Sequence, residues 1–125
     1  MQFAFWAVLI AAVLPLLFAA LSKSGGMDNH APRAAQAALH GWRQRAHWAQ
    51  QNSWEAFPVF AAAVMVAFLN LVPAGRMDAA AAVFVLARLA YGVCYVMDWP
   101  TARSLVWTVG YGAVIYLFLA AAHLF

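Results

Sequence analysis

Charge is what this sequence has least of. Only 9% of its 125 residues are charged, against about 25% in an ordinary soluble domain, so the chain lacks the polar surface that a water-exposed fold requires. Its seven lysines and arginines are too few and too scattered to form a nucleic-acid-binding face. A single cysteine, Cys94, excludes an internal disulfide and any cysteine-rich metal site, and no metal is expected. The first apolar run has no basic segment ahead of it and no clear small-residue cleavage site, so an uncleaved first helix is expected rather than a signal peptide. What fills the sequence instead is apolar: 67% of residues are hydrophobic and the mean hydropathy is +0.77. These values describe an integral, multi-pass membrane protein. At roughly 20 residues per span, the length accommodates four transmembrane helices in one domain.

The first run, Phe3 to Leu21, is free of charge and contains Pro15. Ser22 to Asn29 is turn-rich, centred on Gly25-Gly26. Asn29 or His30 is expected to cap a second helix with Pro32 in its first turn. That helix reads from Pro32 to Val72, longer than a bilayer requires, with an amphipathic first part that Gly41 could interrupt. Leu71 to Asp78 reads as a turn, as does Asp98-Trp99-Pro100-Thr101. The expected spans are about 3–21, 53–72, 79–97 and 104–122, an all-α four-helix bundle. Lys23, Arg33, Arg43, Arg45 and Arg103 fall on one side of such a bundle and Arg76 alone on the other. The positive-inside rule then places the basic connections in the cytoplasm and both termini outside, most simply in a bacterial inner membrane.

Polar groups concentrate where the second span begins. On a helix, Arg45, Trp48, Asn52, Glu55 and Val59 share one face, and Pro58 removes a backbone donor just beyond the carboxylate. On the third span, Arg88, Tyr91 and Tyr95 form one stripe, with Asp98 a further turn on. Charges inside a membrane span are costly and mark function by default. A pairing of Glu55 with Arg88 is therefore expected, in a polar pocket near one leaflet suited to a small zwitterionic or peptide-like ligand. Cys94 reads as a packing residue, His47 as a solvated interfacial side chain, and Trp42, Trp48, Trp54 and Trp99 as an interfacial belt. Gly110 and Gly112 are expected to allow close helix contact.

Asn52-x-x-Glu55-x-x-Pro58 followed by Arg88-x-x-Tyr91-x-x-x-Tyr95 resembles the MAPEG family, the membrane-associated proteins of eicosanoid and glutathione metabolism. Over essentially the whole chain, the resemblance implies a homotrimer of four-helix subunits that binds glutathione between neighbours near the cytoplasmic face. It implies that Asn52 and Glu55 hold the polar backbone and γ-glutamyl amino group of glutathione. Arg88, Tyr91 and Tyr95 would line the same site, with Arg45 and Gln50 as further contacts. Arg103 resembles the arginine that stabilises the glutathione thiolate. Two positions depart from the family's leukotriene-C synthase: Trp48 stands where that enzyme has an arginine, and Ala56 where it has a tyrosine.

The function implied is that of a glutathione-dependent membrane transferase or peroxidase, acting on lipophilic electrophiles dissolved among the membrane lipids. The alternative within the same fold is a non-catalytic member that binds a lipid or a partner protein. A channel or transporter is disfavoured, because the polar groups gather at one leaflet instead of forming a path.

Overall fold

The computed structural model describes residues 1–125, and they form helices and connections only. In chain order these are α1 (Phe3–Lys23), α2 (Pro32–Ala37), α3 (Gly41–Leu69), α4 (Ala74–Val96) and α5 (Pro100–Ala121). Four of them, all except the six-residue α2, are long and apolar enough to cross a membrane. The protein is thus an integral, multi-pass four-helix bundle. The long second helix expected from the sequence is divided. Gly41 takes a positive φ of 64°, a conformation open mainly to glycine, and this separates the short α2 from α3. Asn29 and His30 do not cap α2. Ala31 stands at its N-cap, while the His30 backbone N–H turns back to the Asp28 carboxylate at 2.9 Å.

Small side chains set the spacing of the bundle. Ala4, Ala7, Ala46, Ala49, Ala63, Ala67 and Ala81 have no exposed surface. They let helix backbones approach closely, which is how helices associate where lipid offers no hydrophobic contrast. Larger groups fill the gaps, most tightly where the Phe60 and Phe84 rings stack at 3.9 Å and 5° across α3 and α4. Gly110 is buried, and a Cβ there would sit 3.4 Å from that of Ala87, so this glycine serves the α4–α5 contact. Gly112 does not: a Cβ there would meet nothing within 4 Å.

Of the glycines, Gly92 is the most closely packed. A Cβ built on it would overlap the buried Phe18 ring of α1. Gly92→Ala is therefore expected to destabilise the subunit by about 1–3 kcal/mol, the usual cost of overpacking. Phe18→Leu in the same chain should restore part of that loss. Melting curves in detergent of the single and double variants would check this, and a Gly92→Ala protein as stable as the parent would contradict the packing.

Two connections differ from expectation because helices begin earlier than the hydropathy pattern suggests. α4 starts at Ala74, so Asp78 lies inside a helix. Its carboxylate accepts from the Ala4 backbone N–H at 2.8 Å, satisfying one of the unpaired donors at the start of α1. α5 starts at Pro100, proline being well suited to a first helical position, so Arg103 belongs to the first turn of that helix. α3, α4 and α5 end alike. Leu71, Asp98 and His123 take positive φ values of 60°, 61° and 58°. The next residue in each case donates back five positions, at 3.0, 2.8 and 3.1 Å. This is the helix-ending hydrogen bond usually associated with glycine. It also places Asp98 past the end of α4, off the Arg88 stripe.

A buried polar cluster ties α2 to the bundle. Gln36 donates to the Ser22 hydroxyl at 2.8 Å and to Gln50 Oε1 at 3.1 Å. Arg43 donates to the backbone carbonyls of Ser22 and Gly26 at 2.9 and 2.7 Å. Three segments distant in sequence are fastened at one end of the bundle by these bonds.

Candidate functional site

The α3–α4–α5 side of the bundle carries three adjoining hollows that share Asn52. One, of about 350 Å³, is lined by Trp48, Gln51, Asn52, Glu55, Tyr91 and Tyr95. A second, also about 350 Å³, is lined by Asn52, Tyr91, Arg103, Ser104, Trp107 and Thr108. The third, about 180 Å³, runs on along Asn52, Glu55, Ala56, Val59, Trp107 and Tyr111. Together they make a cleft that is polar at the end near Arg103 and Tyr95 and aromatic farther into the span.

Helix periodicity puts the residues there. Asn52 and Glu55 lie one turn apart on α3 and hydrogen-bond each other, Asn52 Nδ2 to Glu55 Oε2, at 3.4 Å. On α4, Tyr91 and Tyr95 lie one turn apart with their rings edge-to-face at 5.6 Å. On α5, the Arg103 guanidinium lies 4.5 Å from the Tyr95 ring centroid, a cation–π contact that holds its charge beside the cleft. Arg88 is 4% exposed. Its guanidinium donates to the Ser53 hydroxyl at 3.2 Å and lies 4.2 Å from the Tyr91 ring centroid.

One atom in this arrangement is incomplete. Asn52 Oδ1 is buried and is the one buried side-chain oxygen or nitrogen with no hydrogen-bond partner. A buried acceptor without a donor costs roughly 1–3 kcal/mol. It sits where three hollows meet, next to the exposed Glu55 carboxylate. An N–H or ammonium group in the cleft would satisfy both. No group of three or more His, Cys, Asp or Glu side chains gathers at metal-binding spacing.

The structure therefore brings Asn52, Glu55, Tyr91, Tyr95 and Arg103 to one cleft, with Arg88 buried behind Tyr91. Two candidates lie elsewhere. Gln50 faces α2, where it accepts from Gln36, and its Oε1 is 3.4 Å from His47 Nδ1. The neighbouring Gln51 lines the cleft instead. Arg45 donates to the Val96 carbonyl at 3.1 Å, tying α3 to the last residue of α4. The expected pairing of Glu55 with Arg88 is not made by a direct hydrogen bond or close ion pair within the subunit. Glu55 points outward and receives Asn52, whereas Arg88 turns inward to Ser53.

A family model matches residues 3–123, and its description is the MAPEG family. The chain belongs to the MAPEG family. As a MAPEG protein it is a membrane protein of the glutathione and eicosanoid metabolism kind, which agrees with the helix count and with the resemblance carried by the Asn52–Pro58 and Arg88–Tyr95 motifs. The chain has no significant match among curated proteins or among solved structures. The cleft of this MAPEG chain also contains residues that sequence reading left unassigned, namely Gln51, Ser104, Trp107, Thr108 and Tyr111. A signal for two of them, Trp107 and Tyr111, was present. Arg103, Trp107 and Tyr111 recur every four residues and so share one helix face. The Trp107 and Tyr111 rings stack at 5.1 Å along the inner part of the cleft.

Proposed function

We propose that this protein is a glutathione-dependent membrane transferase or peroxidase that acts on lipophilic electrophiles, with glutathione held in the Asn52 cleft. The observation that carries the reading is the unpartnered Asn52 Oδ1, flanked by a carboxylate and facing hollows that also contain Arg103. Glutathione presents amide N–H groups, an ammonium, carboxylates and a thiol, and this donor and acceptor set suits each of them. In this assignment Asn52 and Glu55 take the N–H and ammonium groups, and Tyr91 and Tyr95 line the cleft beside them.

Glutathione supplies the sulfur nucleophile. A free thiol has a pKa of about 8.5 and is only a few per cent ionised at neutral pH. A guanidinium beside it in a poorly solvated cleft lowers that value to about 7, and Arg103 is assigned this role. The aromatic inner part, with Val59, Trp107 and Tyr111, then admits the lipophilic co-substrate from the bilayer. The proposal includes a homotrimer, with the basic connections cytoplasmic and both termini outside.

Calorimetric titration of glutathione into the purified protein tests the reading directly. Binding at millimolar concentration or tighter is expected. Glu55→Gln should weaken it about tenfold, the value of one charge-assisted hydrogen bond, with little change in turnover at saturation. Absence of binding by the parent protein would sink the proposal. It would favour the non-catalytic member that holds a lipid or partner, a reading to which the turning away of Gln50 and the substitution at Trp48 already lend some weight.

A further inference from the structure

Trp107 holds a place in the cleft that no other α5 side chain shares. The Arg103 hollow and the inner hollow have two lining residues in common, Asn52 from α3 and Trp107 from α5. A molecule reaching from one hollow into the other therefore lies along the indole. Arg103 is one turn away on the same helix face, an axial rise of roughly 6 Å at 1.5 Å per residue. Tyr111 continues the strip inward, its ring stacked on that of Trp107 with an interplanar angle of 21°, and both side chains remain exposed. Ala56 and Val59 line the same inner hollow from α3. With a volume of about 180 Å³, it is a short slot that joins aromatic faces on α5 to small aliphatic groups on α3.

What such a slot can capture follows from where its substrate starts. A lipophilic electrophile is already dissolved in hydrocarbon, so an alkyl chain gains almost nothing by exchanging lipid for another apolar surface. Apolar burial alone cannot draw it in. An aromatic face offers what lipid lacks, because its π-electrons attract the electron-poor plane of a conjugated ring and aromatic pairs gain energy beyond their buried area. We infer that Trp107 is the specificity-determining residue for the electrophile, and that it selects a flat conjugated ring over an extended acyl chain. The inference rests on glutathione being the thiol held at Asn52. A ring stacked on Trp107 directs a conjugated substituent toward the Arg103 hollow, where the thiolate is assigned. With an enone as that substituent, sulfur bonds to the β-carbon and the C=C electron pair moves to the carbonyl oxygen. The resulting enolate then takes up a proton from water at the α-carbon, replacing the one the thiol released. The thiol is thus added across the double bond and no group leaves.

Turnover of a matched pair of enones by the full chain in detergent tests this. Benzylideneacetone carries a flat phenyl ring on its double bond, and its counterpart carries a hexyl chain there, so the chemical step is the same. Trp107→Leu should lower kcat/KM for benzylideneacetone about fivefold, the value of one aromatic contact. The same variant should change kcat/KM for the hexyl enone less than about twofold, because one apolar contact replaces another. Trp107→Phe, which keeps a ring, should retain most of the rate with benzylideneacetone. Glutathione titration of each preparation reports separately whether the thiol site is formed. Equal losses for the two enones in Trp107→Leu, or a loss in Trp107→Phe as large as in Trp107→Leu, would overturn the assignment. So would turnover of neither enone by a parent protein that binds glutathione, a result that leaves the thiol reading standing. A parent that binds no glutathione would instead bring down both.

Discussion

Arg103→Ala is expected to lower turnover about 100-fold while changing glutathione affinity less than threefold, by analogy with the loss of one donor that stabilises developing negative charge. The asymmetry follows from where the charge is needed. Bound glutathione is held along its length by Asn52 and Glu55 in the proposed arrangement, whereas Arg103 acts on the thiolate alone. Its guanidinium is braced against the Tyr95 ring at 4.5 Å, so the charge stays beside the cleft instead of moving freely into headgroups. Thiolate absorbance near neutral pH, recorded with saturating glutathione, should fall in parallel with turnover. Arg103→Lys should retain part of both, because a point charge survives although the planar stacking contact does not. Equal losses of affinity and turnover would show that Arg103 merely grips the substrate, and unchanged turnover would remove it from the chemistry.

The second large effect concerns Arg88, where stability and binding are expected to move in opposite directions. This side chain is 4% exposed, sits inside a membrane span and receives no hydrogen-bonded carboxylate. Its stabilising contacts are one neutral hydroxyl, that of Ser53, and the face of Tyr91. Burying a guanidinium on such terms costs several kcal/mol that these contacts only partly offset. Arg88→Met, similar in length and without charge, should therefore melt at the same temperature as the parent or a few degrees higher. Ser53 would not be stranded, since a helical serine can turn to the carbonyl one turn back. Glutathione binding should nonetheless fall at least tenfold, because Tyr91, a wall of two of the hollows, loses the group that positions its ring. Melting in detergent and glutathione titration of the same preparation give both readouts. A marked drop in melting temperature would show that Arg88 is a structural keystone and would remove the argument for its functional retention.

How far the sequence foretold this arrangement depends on the kind of information involved. The four spans were legible because each is a long apolar run, and hydropathy measures that property directly. Helix starts were less so. Ala74 and Pro100 open helices several residues before the apolar run begins, because helices project past the hydrocarbon and a proline there is a start signal. That shift moved Asp78 and Arg103 from turns into helices. Within a helix, face-sharing was readable from spacing, which is why Asn52 with Glu55 and Tyr91 with Tyr95 came out together.

What spacing could not give was the rotation of one helix against another. Glu55 and Arg88 each lie on a defensible stripe, and complementary charge suggested that the stripes meet. The alanine-rich contacts among α1, α3 and α4 instead direct Arg88 inward to Ser53 and leave Glu55 on the open side. The same rotation separates Gln50 from Gln51, two adjacent residues of one type that face α2 and the cleft respectively. Trp107 and Tyr111 were visible as a four-residue repeat from Arg103, but in a span rich in aromatics that repeat carries little information until the neighbouring helix is in place.

The early start of α5 has an electrostatic consequence. A helix carries a macrodipole, with the equivalent of about half a positive charge at its N-terminal end. Arg103 occupies the first turn of α5, so its guanidinium and the helix's own positive pole lie close together beside the second hollow. Each raises the energy of the other, a repulsion that the Tyr95 ring helps to offset. An anion in the hollow would feel the two fields as a sum. Since the backbone's share cannot be deleted by any side-chain substitution, Arg103→Ala should retain a residual thiolate population above that of glutathione in free solution, and the size of that remainder would measure what the helix alone contributes.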